Sequence, residues 1–267
     1  MSKLFSQDLF SLDGKLAVVT GGCGNLGPWW VKALSDFGAK VAIIDLHDVN
    51  IPAELKNKKD RIKIYYGDIT DTKNLSKIHK KINKDSGLVD ILVNNAGIDA
   101  PPIKQTSKVN EESESIKSYK KMWSVNVQGL VNCIEQFSID MRKKKQGSIV
   151  NIGSLYMERS PYEGLYTHLN FDKPWAYGAT KAAVGQVTRH FATRLSKFGI
   201  RINTLSPGGV LGNQDQEFVR KFSQRVPLGR MAYKDKDLAG PLVFLASDAS
   251  SYVTGINLQI NGGYLAW

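Results

Sequence analysis

Cysteine, acidic residues and long apolar runs are all scarce in this sequence. Only two of the 267 residues are cysteines, Cys23 and Cys133, which is too few for a disulfide framework. Neither has a triad-like neighbourhood, so we assign them no redox role. The N-terminal segment is interrupted by Gln7, Asp8 and Asp13, so we expect neither a signal peptide nor a membrane span there. We therefore expect a cytoplasmic protein with no membrane partner, and we predict no metal site.

Acidic residues number 25 against 36 lysines and arginines, which leaves a formal net charge of +11. An excess of this size raises the question of a nucleic-acid partner. The basic residues, however, are scattered in short runs such as 56–59 and 142–145, with no DNA- or RNA-binding motif beside them. The second run resembles a helix end, where cations suit the helix dipole. We expect no nucleic-acid partner, although the charge is compatible with anionic substrates.

The pattern along the chain indicates the fold class. With 267 residues and 42% hydrophobic composition, the chain can bury the core of one domain. Short β-branched runs alternate with helical stretches, and no repeat, low-complexity tract or linker interrupts them. This alternation predicts an α/β protein in which residues 1–267 form a single Rossmann-fold domain, a doubly wound parallel sheet flanked by helices.

A glycine-rich turn follows the first predicted strand, Leu16 to Thr20. The turn reads Gly21-Gly22-Cys23-Gly24-Asn25-Leu26-Gly27 and leads into a helical segment from Pro28 to Phe37. Strand, glycine turn and helix in this order let a pyrophosphate approach the N–H groups at the helix N-terminus. A second strand ends on Asp45, 24 residues after Gly21. A carboxylate there would bind the adenosine ribose hydroxyls and repel a 2′-phosphate, so we predict NAD rather than NADP.

Tyr177 and Lys181 are four residues apart in a predicted helix. Side chains at this spacing share one helix face, so the phenol and the ammonium can reach one site. A free tyrosine has a pKa of about 10, and a nearby cation lowers it toward the range in which a phenol works as a general base. The pair therefore indicates acid–base chemistry.

Together these residues resemble the short-chain dehydrogenase/reductase family over nearly the whole chain. The glycine turn matches the family's Thr-Gly-x3-Gly-x-Gly loop with one departure, since the middle glycine falls on Asn25 and an additional glycine stands at Gly24. Asparagine tolerates left-handed backbone better than other non-glycine residues. Further elements match the family in the expected order: Gly67 to Thr70, Asn94-Asn95-Ala96-Gly97, Asn126, Ser154 and Pro207-Gly208.

The resemblance implies a role for each matching residue. Tyr177 would be the general acid/base, and Lys181 would lower its pKa and bind the nicotinamide ribose. Ser154 would hold the substrate oxygen, and Asn126 would support a proton relay through its backbone and an ordered water. The resemblance further implies a cofactor site made of Gly21, Gly24, Asn25, Leu26, Gly27, Asp45, Asp68, Ile69, Asn95, Ala96, Gly97, Tyr177, Lys181, Pro207, Gly208 and Val210.

Substrate identity is expected in segments that depart from the family pattern. Ser154 and Tyr177 are 23 residues apart, whereas the family usually separates them by about a dozen. We assign the excess to an insertion at about 157–175, and a flap to about 208–222; the polar stretch 99–118 is a third candidate. The insertion would contact substrate or would form a lid or subunit contact. The candidate substrate residues are Ser154, Tyr166, His168, Asn213 and Gln214, although Asn213 and Gln214 would equally cap a helix.

These features predict an NAD(H)-dependent oxidoreductase acting on a secondary alcohol or ketone of a sugar, sugar phosphate or nucleotide sugar. The insertion and the chain ending resemble the subgroup in bacterial surface-glycan and flagellin-modification pathways, including legionaminic acid synthesis. Alternatives are a 3-oxoacyl-carrier-protein reductase, a gluconate or polyol dehydrogenase, and a non-catalytic NAD-binding scaffold. By resemblance we expect a homotetramer or a homodimer.

Overall fold

A computed structural model of the chain describes residues 7–47, 49–50, 52–58, 60–99, 111–169 and 173–267. Its centre is a seven-stranded sheet in the order β3-β2-β1-β4-β5-β6-β7, with every pairing parallel. The strands are β1 Leu16–Thr20, β2 Lys40–Asp45, β3 Ile62–Tyr66, β4 Ile91–Asn94, β5 Gly147–Ile152, β6 Ile200–Pro207 and β7 Asn257–Ile260. The prediction of one α/β domain with a doubly wound parallel sheet is confirmed.

Helices connect the strands on both faces of the sheet. They are α1 Gly27–Asp36, α2 Thr72–Ser86, α3 Glu111–Trp123, α4 Leu130–Lys144, α5 Trp175–Leu195, α6 Gln216–Gln224 and α7 Ala239–Ala246. A π-helical segment, Ser124–Gly129, joins α3 to α4. Short 3₁₀ turns lie at Gln7–Phe10, Ala53–Lys58, Leu155–Met157, Glu163–Leu165, Ser196–Phe198 and Asp248–Ser250.

The strands are apolar on both faces, and successive residues pack into different clusters. In β1, Val18 packs into a cluster with Phe137 of α4, whereas Val19 packs into a cluster with Trp30 of α1. This division follows from the two-residue period of a strand, which sends alternate side chains to opposite faces. A sheet covered on both sides therefore needs near-continuous apolar strands, as β1 shows.

The strand order reverses between β1 and β4, which are neighbours although β2 and β3 lie between them in sequence. Helices leave such a switch point in opposite directions, so a crevice opens beyond the carboxyl ends of the strands. Thr20 of β1 pairs with Asn94 of β4, and Asn94 pairs with Asn151 of β5. This register aligns the loops that carry the predicted site residues at one edge of the sheet.

Candidate active site

A cavity of about 610 Å³ runs along the carboxyl edge of the sheet. At one end, which we call the glycine end, it is lined by Gly21, Gly24, Asn25, Leu26, Asp45, Asp68 and Ile69. At the other, the tyrosine end, it is lined by Asp99, Ser154, Tyr156, Tyr166, Lys173, Tyr177 and Lys181. The wall also includes Asn95, Ala96, Gly97, Pro207, Gly208 and Val210.

Most residues predicted for the site therefore line one cavity. Four of them do not: Gly27, Asn126, His168 and Asn213 are absent from its described lining. Gly27 is buried at the start of α1, where an added Cβ would overlap the carbonyl oxygen of Gly21. It is needed for close packing of the turn against the helix, so its contribution to a bound ligand is indirect.

At the glycine end, the backbone packs too closely to leave room for a side chain at Gly21. Gly21 has a φ of 63°, and a Cβ there would approach the Cα of Ala96 to 2.8 Å. Asn25 does not adopt positive φ, so the expected left-handed conformation is not used. Its side-chain oxygen instead accepts a hydrogen bond from the ammonium of Lys234, which ties the turn to the segment after the flap.

Asp45 is held at the end of β2 by two backbone donors. Its carboxylate accepts hydrogen bonds from the N–H of Cys23 at 2.8 Å and of Leu46 at 2.9 Å. Burial, reinforced by the Asp45 charge, raises the pKa of the Cys23 thiol to about 11, so the thiol stays protonated. The cationic residues among the described lining are Lys121, Lys173 and Lys181, on α3, the insertion and α5.

The segment after β4 is fastened to the glycine turn by Asn95. Its amide nitrogen donates to the carbonyl oxygens of Thr20 at 3.0 Å and Gly21 at 2.8 Å, and its oxygen accepts from the Trp30 indole at 2.9 Å. These hydrogen bonds join the cavity-lining residue Asn95 to the glycine turn and to α1, so its side chain fixes the shape of the cavity wall.

Asn126 lies in the π-helical segment and holds the chain just beyond Gly97. Its side-chain oxygen accepts from the Ile98 N–H at 2.7 Å, while its nitrogen donates to the Ile98 carbonyl at 3.0 Å and to the Thr180 hydroxyl at 3.1 Å. Segments of π-helix inside longer helices are frequent at functional sites. The side chain thus links three site elements, namely the segment after β4, the α3–α4 helix and α5.

The tyrosine end brings Ser154, Tyr177 and Lys181 together. Ser154 follows β5, and its hydroxyl hydrogen-bonds the Tyr177 phenol while accepting from the Tyr156 N–H at 3.2 Å. Lys181 lies one turn after Tyr177 on α5, and its buried ammonium donates to the Ile152 carbonyl at 2.7 Å. The arrangement places a phenol between a hydroxyl and an ammonium, which suits proton transfer at a substrate oxygen.

The pKa values at this end are governed by burial. Burial raises the pKa of Tyr177 above its ordinary value, the Asp99 carboxylate adds to the increase, and the Ser154 hydrogen bond opposes it. Burial also lowers the pKa of Lys181 to about 8. The pKa of Tyr177 in the protein alone is thus raised, opposite to the lowering expected from Lys181, because taking a phenolate out of water is costly.

Sequence reasoning missed a second lysine beside Tyr177. The Lys173 ammonium lies 4.4 Å from the centroid of the Tyr177 ring and 5.8 Å from that of Tyr156, and it forms an ion pair with Asp99. Its side chain is only 5% exposed. A lysine four residues before Tyr177 was the available signal, but that spacing has no meaning outside a helix, and α5 begins only at Trp175.

The insertion packs onto the flap helix. Leu165, Tyr166 and Leu169 share a buried cluster with Phe218 and Phe222 of α6. The Tyr166 hydroxyl lies 2.8 Å from the Tyr156 hydroxyl, where both face the cavity. Residues 170–172 of the insertion and 100–110 of the polar stretch lie outside the described residues.

His168 connects the insertion to the flap. Its Nε2 lies 2.8 Å from the Asp215 carboxylate, and its Nδ1 lies 3.1 Å from the Lys221 ammonium. An ammonium can only donate, so Nδ1 accepts and Nε2 carries the hydrogen that Asp215 accepts. Both ring nitrogens therefore face flap residues, and a substrate contact for His168 stays a prediction without support from this geometry.

Three consecutive flap residues, Asn213, Gln214 and Asp215, make different contacts. Asp215, and neither Asn213 nor Gln214, is the N-cap of α6, accepting from the N–H groups of Glu217 and Phe218. Gln214 lines the cavity, but its amide group bonds the backbone at Val210 and Gly212. Asn213 is exposed.

Comparison with known proteins agrees with this geometry. The family described as enoyl-(acyl carrier protein) reductase has a sequence model that matches residues 25–265. A sorbose reductase from Candida albicans is 33% identical over 268 residues, covering 96% of this chain and 89% of the relative. A galactitol 2-dehydrogenase from Rhizobium johnstonii is 31% identical over 270 residues, covering 98% and 99%.

Two solved structures share the fold. A gluconate 5-dehydrogenase from Burkholderia cenocepacia, in complex with NADP and tartrate, has a TM-score of 0.83 at 26% identity and covers 97% of this chain and 98% of its own. A short-chain dehydrogenase from Leptospira borgpetersenii with bound NAD⁺ has a TM-score of 0.83 at 29% identity, with coverage of 99% and 98%.

The fold, the cavity and these similarities define a nicotinamide-dependent oxidoreductase that acts on CH–OH groups. The chain belongs to the short-chain dehydrogenase/reductase family, as the sequence resemblance predicted. The residues present fit a nicotinamide dinucleotide, because bare glycine backbone at Gly21 and a fixed carboxylate at Asp45 are joined by one cavity to Tyr177 and Lys181.

Proposed function

We propose that the protein is an NAD(H)-dependent dehydrogenase/reductase acting on a secondary alcohol or ketone of a sugar, a sugar acid or a polyol. One observation carries the proposal: the cavity places Ser154, Tyr177 and Lys181 beside the hydroxyls of Tyr156 and Tyr166. Hydroxyl groups at the tyrosine end can bond the hydroxyls of a polyhydroxylated ligand, which an acyl chain lacks. The sorbose, galactitol and gluconate enzymes among its relatives support the same class.

In this proposal the bound nicotinamide supplies the hydride chemistry, and the protein supplies position and charge. Tyr177 holds and releases the proton at the substrate oxygen. Ser154 hydrogen-bonds that oxygen beside the phenol, and the charge of Lys181 favours the phenolate. Asn126 keeps the Ile98 backbone and Thr180 in place, so that α5 presents the phenol to the cavity.

NAD is the proposed cofactor because of Asp45. A carboxylate next to the ribose accepts hydrogen bonds from its two hydroxyls and repels a 2′-phosphate. The described cations of the cavity wall lie on α3, the insertion and α5, and none of them lies beside Asp45 in the sequence. The proposal thus assigns specificity to the end of β2.

The narrower predictions remain proposals. They are a role in bacterial surface-glycan or flagellin-modification sugar synthesis, a cytoplasmic location, and a homotetramer or homodimer. Sedimentation of the purified protein checks the last of these. Within the described residues, no helix combines the length and apolar character needed to span a bilayer.

A substrate panel tests the proposal. Ketohexoses, hexitols, aldonic acids, sugar phosphates, nucleotide sugars and a 3-oxoacyl thioester would each be assayed with NAD(H) and NADP(H), using wild type and Tyr177→Phe. We expect Tyr177-dependent turnover of a polyhydroxylated compound with NAD(H). Turnover of the thioester alone with NADPH would overturn the proposal in favour of a 3-oxoacyl-carrier-protein reductase. NAD binding with no turnover of any compound would favour the non-catalytic scaffold.

A further inference from the structure

The insertion delivers a second positive charge to the ring of Tyr177. The Lys173 ammonium lies 4.4 Å from the ring centroid, closer than the Lys181 ammonium at 5.9 Å. The two lysines come from different segments, since Lys181 lies within α5 and Lys173 lies two residues before its first residue. A cation over a tyrosine face attracts the ring, and the attraction grows when the site is desolvated.

The position of Lys173 is set by its partner, Asp99. The ion pair joins a Lys173 side chain that is 5% exposed to the cavity-lining Asp99, whose side chain is 45% exposed. Asp99 directly follows Ile98, whose N–H and carbonyl are both bonded by the Asn126 side chain. The insertion is thus anchored, through Asp99 and Ile98, to a residue of the predicted catalytic set.

We propose that Lys173 is a positioning residue that holds positive charge over the Tyr177 ring, so that loss of the phenol proton during alcohol oxidation is favoured. The inference rests on the proposed function in so far as Tyr177 is taken as the general base. It gives the insertion between Ser154 and Tyr177 a function, which is to bring Lys173 to the phenol ring. Asp99 keeps the ammonium in place and offsets part of its charge.

Of the other described groups facing Tyr177, Lys181 is the one whose charge acts in the same direction as that of Lys173. Lys181 on α5 is the second cation near the ring, and Tyr156, after β5, presents its neutral ring at 6.4 Å between centroids. Tyr166 of the insertion bonds Tyr156, and Lys121 of α3 lines the cavity while exposed to solvent. Among the described groups, the negative charge that acts on Tyr177 is that of Asp99.

The charge on Lys173 depends on the same partner. Burial lowers the pKa of Lys173, whereas the Asp99 charge and its hydrogen bond raise it. An opposite charge within about 4–6 Å moves a pKa by about 1–3 units. The 4.4 Å separation runs from the Lys173 ammonium to the ring centroid and not to the phenol oxygen. For this reason, and because Asp99 offsets part of the Lys173 charge, we expect the lower end of that range. Loss of the lysine charge should therefore raise the pKa of Tyr177 by about one unit.

The test compares the pH dependence of kcat/KM for oxidation of a secondary alcohol in four proteins. They are wild type, Lys173→Met, Lys173→Arg and the double variant Lys173→Met/Asp99→Asn. Oxidation needs the phenolate, so the rate falls on the acid side of the Tyr177 pKa. We expect Lys173→Met to move this acid limb about one pH unit upward, and Lys173→Arg to restore it. The double variant should lie between Lys173→Met and wild type, because it also removes the opposing carboxylate.

Lys120→Met is the matched control, since Lys120 is an exposed lysine on α3 next to Lys121 and outside the cavity wall. It removes the same charge from the protein and should leave the acid limb unchanged. An equal upward shift in Lys120→Met would assign the effect to net charge and overturn the proposal. An unmoved limb in Lys173→Met, with normal thermal unfolding, would overturn it as well.

A readout without substrate separates this inference from the proposed function. Tyrosinate absorbance is titrated in the NAD complex, and the Tyr177 contribution is the difference between each protein and its Tyr177→Phe counterpart. We expect Lys173→Met to move this titration upward even if no sugar or polyol is oxidised. If the titration does not move and Lys173→Arg is as slow as Lys173→Met at every pH, Lys173 acts by packing alone, and the proposal fails.

Discussion

The glycine end and the tyrosine end of the cavity are formed by different parts of the chain and by different kinds of contact. At the glycine end, Gly21 and Asp45 lie directly at the ends of β1 and β2, and their contacts are largely to backbone. At the tyrosine end, Tyr166, Lys173 and Asp99 come from long connections and meet through side chains. One end is a feature of the sheet, and the other is assembled from loops that the sheet supports.

This difference suits the two ends to different functions, cofactor binding and substrate recognition. Backbone at strand ends is rigid and tolerates little change, which suits binding of a constant group such as a dinucleotide. Connecting segments vary in length without disturbing the sheet, which suits recognition of a variable substrate. Substitutions at the glycine end should therefore act on cofactor affinity, and those at the tyrosine end on turnover and substrate affinity.

The largest expected effect is that of Tyr177→Phe. The change removes the hydroxyl that transfers the proton and keeps the ring, so kcat should fall by about 10²–10⁴-fold. The NAD dissociation constant, measured by fluorescence titration, should change far less, since Asp45 and the glycine turn are untouched. A variant that keeps more than a tenth of the wild-type kcat would show that Tyr177 is not the general base.

At the other end, Asp45→Asn should weaken NAD binding and leave kcat with saturating NAD nearly unchanged. Hydrogen bonds to a charged group contribute about 1.5–3 kcal/mol, which corresponds to about a 10- to 150-fold rise in KM for NAD. The preference for NAD over NADP should fall, because the charge that repels a 2′-phosphate is gone. The check is steady-state kinetics with both cofactors. An unchanged preference would assign cofactor choice to another residue.

The two ends also differ in how far they follow from sequence. The strand–turn–helix order, the spacing of Asp45 and the family motifs predict the sheet and the wall of the glycine end. They succeed because Gly21 needs positive φ and a bare backbone, a requirement that only glycine meets without strain. The parallel sheet then brings the strand ends to one edge, so little more than strand order is needed.

The tyrosine end follows from sequence only in part. Asp99 and Lys173 are separated by 74 residues, and no local spacing relates them. The cap of α6 at Asp215 and the contacts of His168 also depend on how the insertion packs against the flap. The increase of the Tyr177 pKa caused by burial could not be predicted either, because burial cannot be read from a four-residue spacing.

A smaller effect is expected from Tyr166→Phe. The change removes one hydroxyl from the cavity wall and with it the hydrogen bond to Tyr156, while keeping the ring against Phe218. A neutral hydrogen bond contributes about 0.5–1.5 kcal/mol, so KM for a sugar or polyol should rise about 2- to 10-fold. Steady-state kinetics measure it. Tyr162→Phe is the control, since the Tyr162 side chain is exposed and outside the described cavity wall. An equal rise in KM in Tyr162→Phe would contradict a substrate-facing role for Tyr166.

The smallest effect concerns the contact between the insertion and the flap. The His168 hydrogen bond, with the backbone donors of α6, lowers the pKa of Asp215 below its ordinary value. A carboxylate whose pKa is lower in the folded than in the unfolded protein stabilises the fold at pH values above its unfolded pKa, about 3.9. This contribution is lost as the pH falls through the folded pKa.

At neutral pH the contact between His168 and Asp215 is intact. The variant His168→Ala should therefore raise amide hydrogen exchange in α6 by less than about tenfold, while kcat stays within about twofold of wild type. Exchange followed by mass spectrometry, corrected for intrinsic pH dependence, should show wild-type α6 losing protection on acidification before the sheet does. If His168→Ala instead lowers kcat as much as Tyr177→Phe, His168 belongs to the chemistry at the tyrosine end, and the flap contact is not its main role.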